Sequence, residues 1–205
     1  MNDTSQYFDE DPSIESKPVT FTRTICGKEY EFKTDRGVFA KGSLDKATEV
    51  LIKEFNDNYV GTPKSIVDVG AGYGPLISFA AKKFSDARVI AIEPNERARS
   101  LCNFNYKKNV ADMRLEIYTT ADVPQDLKCD LIISNPPIRI GKVALYELLS
   151  FWSNRLESKG EMWLVMSKNL GADSCAKFLE TECNLRVTRI ASKKGFRVLS
   201  CRSAS

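Results

Sequence analysis

The sequence contains no histidine. That absence removes the Ser-His-Asp triad, the Cys-His pair and every mechanism that needs an imidazole base near neutral pH. It also leaves the six cysteines (Cys26, Cys102, Cys129, Cys175, Cys183 and Cys201) without a histidine to complete a zinc site, and no two of them form a C-x-x-C pair. Reduced thiols packed as small core residues are the reading that remains, and no metal is expected. No apolar run approaches the ~18 residues that a membrane span needs. The N-terminus is polar and acidic, unlike a secretory signal or an arginine-rich transit peptide, so the expected location is the cytoplasm. No internal repeat and no low-complexity segment interrupts the chain.

What is present suits one soluble domain. A chain of 205 residues is long enough to bury a sizeable core, and 42% hydrophobic with 28% charged residues is ordinary for a globular protein. The net charge of +3 is unevenly spread. Asp3, Asp9, Glu10, Asp11 and Glu15 against Lys17 give residues 1–17 a balance of −4, which leaves +7 on the rest. A basic body behind an acidic tail is compatible with a nucleic-acid partner.

Residues 1–17 carry no core-forming pattern and read as a disordered acidic tail. Residues 19–26 and 30–34 alternate apolar and polar around Gly27-Lys28, the pattern of a β-hairpin. A loop with glycines at both ends, Gly37 and Gly42, completes an N-terminal hairpin-and-flap unit over 18–43. Helical spacing of Ala47, Val50, Leu51 and Phe55 predicts a helix over about 44–56. From there strands at 65–69, 88–92, 113–118, 129–134 and 161–167 alternate with helices at 75–84, 96–108, 143–157 and 172–182. Two further strands, 186–191 and 196–202, close the chain across a short connection and must be antiparallel. The expectation is an α/β fold: a doubly wound, Rossmann-like seven-stranded sheet with an antiparallel last strand, preceded by a small N-terminal β-hairpin, with the main domain over 44–205.

Two stretches carry chemistry. The first is Asp68-Val69-Gly70-Ala71-Gly72-Tyr73-Gly74-Pro75, after the first strand of the main domain. It departs from the dinucleotide fingerprint G-x-G-x-x-G: Pro75 stands at the third glycine and removes an N–H that would cradle phosphate. That favours a nucleoside ligand lacking pyrophosphate, such as S-adenosylmethionine, with Asp68 near its ammonium group and Gly70, Gly72 and Gly74 admitting it to the backbone. A glycine turn serving only chain reversal is the plain alternative. Glu93, followed by Pro94, ends the second strand where an acid usually accepts from ribose hydroxyls. Ala121-Asp122, after the third strand, is placed to read an adenine edge; a bland surface role is the alternative there.

The second stretch is Ser134-Asn135-Pro136-Pro137-Ile138. Two prolines in succession cannot extend a sheet ladder, so the strand ends and Asn135 is held on a stiff turn at the strand's C-terminal end. That edge is where open α/β sheets bind ligands. The Asn135 side-chain oxygen and the Pro136 carbonyl can both accept from one NH2 group and aim its lone pair at an electrophile. A plain strand-ending turn is the alternative.

Taken together, D-V-G-A-G-Y-G at 68–74, Glu93 and N-P-P-I at 135–138 resemble class I S-adenosylmethionine-dependent methyltransferases that act on amino groups. F-K-T-D-R-G-V-F-A at 32–40, L-D-K-A-T at 44–48, N-P-P-I-R-I-G-K at 135–142 and K-K-G-F-R-V-L at 193–199 resemble the bacterial 16S ribosomal RNA guanine-N2 methyltransferases, in a single-domain form. The likeness covers about residues 19–202. It implies methyl transfer to the N2 amine of a guanine in small-subunit ribosomal RNA, with ribosomal RNA or the small subunit as partner. Asn135 and Pro136 are then the catalytic pair, and Asn135 also borders the cofactor. Phe39, Pro137, Ile138, Arg139, Lys142, Lys193, Lys194 and Arg197, with Lys168, are the candidates for contacts to base and phosphates. Ile138 replaces the aromatic residue frequent after Asn-Pro-Pro, so Phe39 is a candidate to cover the base instead. The competing readings are a protein glutamine N5-methyltransferase, which uses the same turn, and an inactive RNA-binding module of the same fold. DNA adenine methylation lacks room for a target-recognition domain, and 5-methylcytosine chemistry lacks a cysteine in a suitable turn.

Overall fold

The computed structural model describes residues 16–36, 38, 42–110 and 115–204. Residues 1–15 of the expected tail, most of the expected flap (Gly37 and residues 39–41) and the side chain of Arg139 lie outside the described residues. So does the start of the strand expected from Met113.

Strands β1 (Val19–Ile25) and β2 (Lys28–Thr34) form the expected hairpin. The main domain follows as α1 (Lys46–Asn58), β3 (Ser65–Val69), α2 (Pro75–Lys83), β4 (Arg88–Ile92), α3 (Glu96–Asn109), β5 (Leu115–Tyr118), β6 (Cys129–Ser134), α4 (Lys142–Ser153), β7 (Leu156–Ser167), α5 (Ala172–Thr181), β8 (Leu185–Lys193) and β9 (Phe196–Ser203). Strands β3 to β9 make one sheet in the order β5-β4-β3-β6-β7-β9-β8, and within it β9 alone runs antiparallel to its neighbours. The chain leaves β3 for β4 and β5 on one side, then crosses to β6 on the other. The switch point therefore falls between β3 and β6, and the two chemistry-bearing turns leave these adjacent strands side by side.

Several element boundaries differ from expectation, two of them with a clear cause. Helix α4 stops at Ser153, because the backbone turns at Arg155, whose N–H donates to the Trp152 carbonyl 3.0 Å away. Leu156 then pairs with Cys129 and starts β7, although its spacing continues the α4 apolar stripe. Helix α1 starts at Lys46, with the Asp45 carboxylate as N-cap accepting from the Thr48 N–H at 3.0 Å.

Both sheet faces are covered. Phe55 and Tyr59, at the end of α1 and just beyond it, meet Phe84 and Trp163 in edge-to-face contacts on one face. On the other, Leu145, Leu149 and Trp152 of α4 and Cys175 and Leu179 of α5 pack over Ile132, Met162 and Leu164. The hairpin is held by an unusual device. Asn105 and Asn109, one turn apart on α3, each form a pair of hydrogen bonds with the free edge of β2. Four residues of helix advance about 6 Å, close to the ~6.8 Å of two strand residues, so the two amides match the backbone groups of Glu31 and Lys33. Asn105 Nδ2 also reaches the Tyr73 carbonyl at 2.8 Å, which ties the hairpin to the glycine turn after β3. Among the described residues, no helix is long and apolar enough to cross a membrane.

Candidate active site

The glycine turn, Glu93-Pro94, Ala121-Asp122 and the Asn-Pro-Pro turn follow β3, β4, β5 and β6. They line one edge of the sheet in the order β5-β4-β3-β6. Gly70, Gly72 and Gly74 all have positive φ (76°, 57° and 89°), which explains glycine at each. They differ in what surrounds them. A Cβ on Gly72 would meet nothing within 4 Å, so this position faces open space. A Cβ on Gly70 would lie 3.5 Å from Cδ of Pro137, so the two turns touch. A Cβ on Gly74 would lie 2.8 Å from Cys102 Sγ, so that glycine admits α3.

Four of the turn's N–H groups have partners inside the protein. Those of Gly70 and Ala71 donate to the Ile92 carbonyl (2.9 and 3.1 Å), that of Gly72 to Glu93 Oε2 (2.8 Å) and that of Gly74 to the Ala71 carbonyl (2.9 Å). Pro75 has no N–H, and that of Ile77 donates to Asp68 Oδ2 at 3.1 Å. A pyrophosphate cradle needs free N–H groups here, and none of these is free.

Two carboxylates flank the turn. Asp68 is fully buried; its Oδ1 has no hydrogen-bond partner among the described residues. Burial pushes its carboxyl up to about 8, against the N–H of Ile77, with the negative charge of Glu93 adding to the rise. Glu93 is buried too, its Oε1 accepting from the Asn95 N–H at 3.0 Å. Desolvation raises its carboxyl above the ordinary value, and the N–H donors of Asn95 and Gly72 and the charge of Arg99 oppose that rise. Arg99 Nη1 donates to the carbonyls of Glu93 (3.0 Å) and Pro94 (2.5 Å) and fixes the end of β4. Ala121 and Asp122 are exposed, with Asp122 Oδ2 accepting from the Thr119 hydroxyl at 2.6 Å.

At the end of β6, the Ser134 hydroxyl donates to the Val69 carbonyl at 2.5 Å and locks the strand end to β3. The Asn135 Nδ2 donates to Asp45 Oδ2 (3.0 Å) and Thr48 Oγ1 (3.1 Å). The amide is thereby oriented by α1, and its Oδ1 accepts no hydrogen bond among the described residues. Pro136 is buried, and Pro137 and Ile138 are half-buried. Ile138 packs beside the core under α4.

The basic candidates share this edge but are mostly paired. Lys194-Gly195 is the two-residue turn between β8 and β9, both residues at positive φ. Lys193 meets the buried Glu54 carboxylate at 2.7 Å, Lys194 lies 3.8 Å from Glu49, and Arg197 contacts Asp173. Lys142 is exposed, its Nζ 5.4 Å from the Tyr146 ring centroid, and Lys168 is exposed. Sequence reasoning passed over Asp45, Thr48 and Asn105; a D-x-x-T signature and an i, i+4 asparagine pair were the available signals.

Comparison with known proteins decides the family. The family model described as "Methyltransferase small domain" matches residues 29–200. The chain belongs to this methyltransferase family. The Bacillus subtilis protein YbxB, described as uncharacterized, is 32% identical over 200 residues that cover 96% of this chain and 97% of that one. Ribosomal RNA small subunit methyltransferase C of Psychromonas ingrahamii is 26% identical over 188 residues, 89% of this chain but 51% of that protein, so this chain spans about half its length. Among solved structures, the T. thermophilus 16S rRNA N2 G1207 methyltransferase, in complex with AdoMet and guanosine, superposes with a TM-score of 0.76 at 21% identity. The match covers 95% of this chain and 53% of that one. The Rossmann-like methyltransferase fold is therefore shown, and S-adenosylmethionine is the cofactor of the family. The residues present fit it: four N–H groups of the turn are held by the protein itself, Gly72 opens onto space, and the buried Asp68 Oδ1 has no partner among the described residues.

Proposed function

We propose that this methyltransferase transfers a methyl group to the exocyclic N2 amine of a guanine in small-subunit ribosomal RNA, in the cytoplasm. The observation that carries the reading is the Asn135 amide. Its two N–H groups are held by Asp45 and Thr48, and its oxygen has no partner among the described residues, on a turn that touches the cofactor loop at Gly70. The likeness to methyltransferases of small-subunit ribosomal RNA supports the substrate class.

Bound S-adenosylmethionine supplies a methyl group on a sulfonium, which is electrophilic enough to need no activation by the protein. Asp68 would pair with the cofactor's ammonium group, Glu93 would accept from the ribose hydroxyls, and residues 121–122 would hold the adenine end. The Asn135 Oδ1 and the Pro136 carbonyl accept the two N–H groups of the target amine and point its lone pair along the line of transfer. Both oxygens would stabilise the positive charge that grows on nitrogen as the N–C bond forms and the methyl–sulfur bond breaks, the neutral thioether S-adenosylhomocysteine being the leaving group. The cationic product nitrogen then loses its proton to water, so a protein without histidine suffices. A guanine in a duplex does not reach this turn, so the target is single-stranded or flipped out. Lys142 and Lys168 are the first candidates for phosphate contacts.

A second reading, methylation of a nitrogen on a protein such as glutamine N5, is favoured by the 29% identity over 146 residues to the ribosomal protein L11 methyltransferase of Vibrio cholerae. One experiment separates the two. Purified protein is incubated with methyl-labelled S-adenosylmethionine and four acceptors: small subunits, naked small-subunit RNA, large subunits and total protein. N2-methylguanosine in small-subunit RNA supports the proposal, and label in protein supports the second reading. Cofactor binding with no transfer to any acceptor refutes both and leaves an RNA-binding module.

A further inference from the structure

We infer that Asp45 and Thr48 are positioning residues for methyl transfer, acting through the amide of Asn135; the inference rests on the reading that this amide receives the target amine. An asparagine amide has one accepting end and one donating end. Here both N–H groups of the donating end are engaged, by the Asp45 carboxylate at 3.0 Å and the Thr48 hydroxyl at 3.1 Å. A flipped amide would press its oxygen against a carboxylate, acceptor against acceptor, and leave its NH2 facing the substrate. Asp45 therefore selects the orientation in which Oδ1 faces outward, toward a donor.

Orientation is one part of the effect and polarisation the other. A carboxylate drawing on an amide N–H shifts electron density through the conjugated amide to its oxygen. The Asn135 Oδ1 becomes a stronger acceptor for an amine that turns cationic in the transition state, and the negative charge of Asp45 adds to the same field. Asp45 is itself fixed, because the oxygen that holds Asn135 also caps α1 by accepting from the Thr48 N–H at 3.0 Å. Thr48 is buried, so its hydroxyl has little freedom to turn away. One N-cap thus does two jobs, ending a helix and setting the electronics of a side chain 90 positions away.

The test separates these jobs. Asp45→Ser keeps a capping oxygen but removes the charge and shortens the reach to Asn135, and Thr48→Val removes only the hydroxyl acceptor. Each variant is assayed under single turnover on the acceptor that the wild type methylates, and cofactor affinity is measured by calorimetry. Asp45→Ser is expected to slow transfer roughly tenfold to a hundredfold, less than losing a direct contact to the reacting group. Affinity for cofactor should stay unchanged. In an Asn135→Ala background the same substitution should have almost no further effect, whereas a merely structural role would give the same loss in both backgrounds. Full rate in Asp45→Ser, or equal losses in both backgrounds, overturns the inference. A fully active Asn135→Ala overturns the function reading and the inference with it. A second readout needs no substrate. The Asn135 side-chain NH2 resonances should exchange slowly with solvent in the wild type and quickly in Asp45→Ser; fast exchange in the wild type overturns the inference even if no acceptor is found.

Discussion

Asp68 offers a test of the cofactor site that needs no acceptor. In the free protein its carboxyl is pushed up to about 8 by burial, with one oxygen on the Ile77 N–H and the other without a partner among the described residues. With that value, most free molecules hold the proton at pH 6.5 and few do at pH 9. A cationic ammonium beside Asp68 favours the ionised form, and driving the proton off at pH 6.5 takes about 1.4 kcal/mol for each unit by which the pKa must fall. The cofactor's α-amino group, with an ordinary value near ~7.7–8.0, moves the opposite way and gains a proton on pairing. At pH 6.5 it is already charged, so binding should release roughly one proton, all from Asp68. At pH 9 Asp68 is already ionised, so binding should take up roughly one proton, all on the amine. Calorimetry of S-adenosylmethionine binding in two buffers of different ionisation enthalpy counts these protons at each pH. The expected result is a reversal of sign between pH 6.5 and 9, with the release at pH 6.5 abolished by Asp68→Asn. Tight binding with buffer-independent heats at pH 6.5 would refute the pairing of Asp68 with the ammonium group.

The same residue sets a pH trend in the free protein. Its folded pKa lies above the unfolded value near ~3.9, so its ionisation costs stability progressively as pH rises from there toward 8 and no further above it. Asp68→Asn should therefore gain in unfolding temperature over wild type as pH climbs through that window, and a constant difference would contradict the burial argument. Asn135→Ala should lower turnover by about 100-fold or more while calorimetric cofactor affinity stays the same. Asn105→Ala leaves the Lys33 N–H and the carbonyls of Lys33 and Tyr73 without partners, at about 1–3 kcal/mol for a buried group; urea unfolding should show at least that loss. Gly74→Ala drives a methyl group to 2.8 Å from Cys102 Sγ and should destabilise by about 1–3 kcal/mol beyond the left-handed backbone penalty it shares with Gly72→Ala. Equal unfolding midpoints for the two glycine variants would refute the packing role of Gly74. Lys193→Met strips the partner from the buried Glu54 and should lower stability while leaving the salt dependence of the proposed RNA binding unchanged.

The fold was legible because each strand and helix of the main domain declares itself over a few residues. Period-two and period-3.6 patterns, Pro75 at a helix start and Pro136-Pro137 at a strand end are local signals. What the pattern could not carry was pairing. The insertion of β9 between β7 and β8 depends on contacts from opposite ends of the last third of the chain. Likewise, Leu156 fits the α4 stripe by spacing and belongs to β7 by its hydrogen-bonded neighbour Cys129. Charge was the least legible feature. Lys193, Lys194 and Arg197 read as free cations in a sequence, yet each faces a carboxylate that a linear reading cannot place.

The site shows the same division more sharply. The sequence marked Asp68, the glycines, Glu93 and Asn135 because glycine and proline positions betray a turn without any knowledge of its surroundings. The departure at Pro75 argued against a dinucleotide from one missing N–H. The structure strengthens that argument by a different route: the N–H groups of Gly70, Ala71, Gly72 and Gly74 have protein partners, and those of Gly70, Ala71 and Gly72 go to β4 through Ile92 and Glu93. Glu93 is thus a strut of the glycine turn as well as a candidate ribose acceptor. The acid at this position braces the loop before any ligand arrives. Glu93→Gln should therefore weaken cofactor binding and also lower the stability of the free protein, because the amide keeps only one accepting end for two N–H groups, those of Gly72 and Asn95. Unchanged stability of the free variant would show that the ribose alone requires the carboxylate.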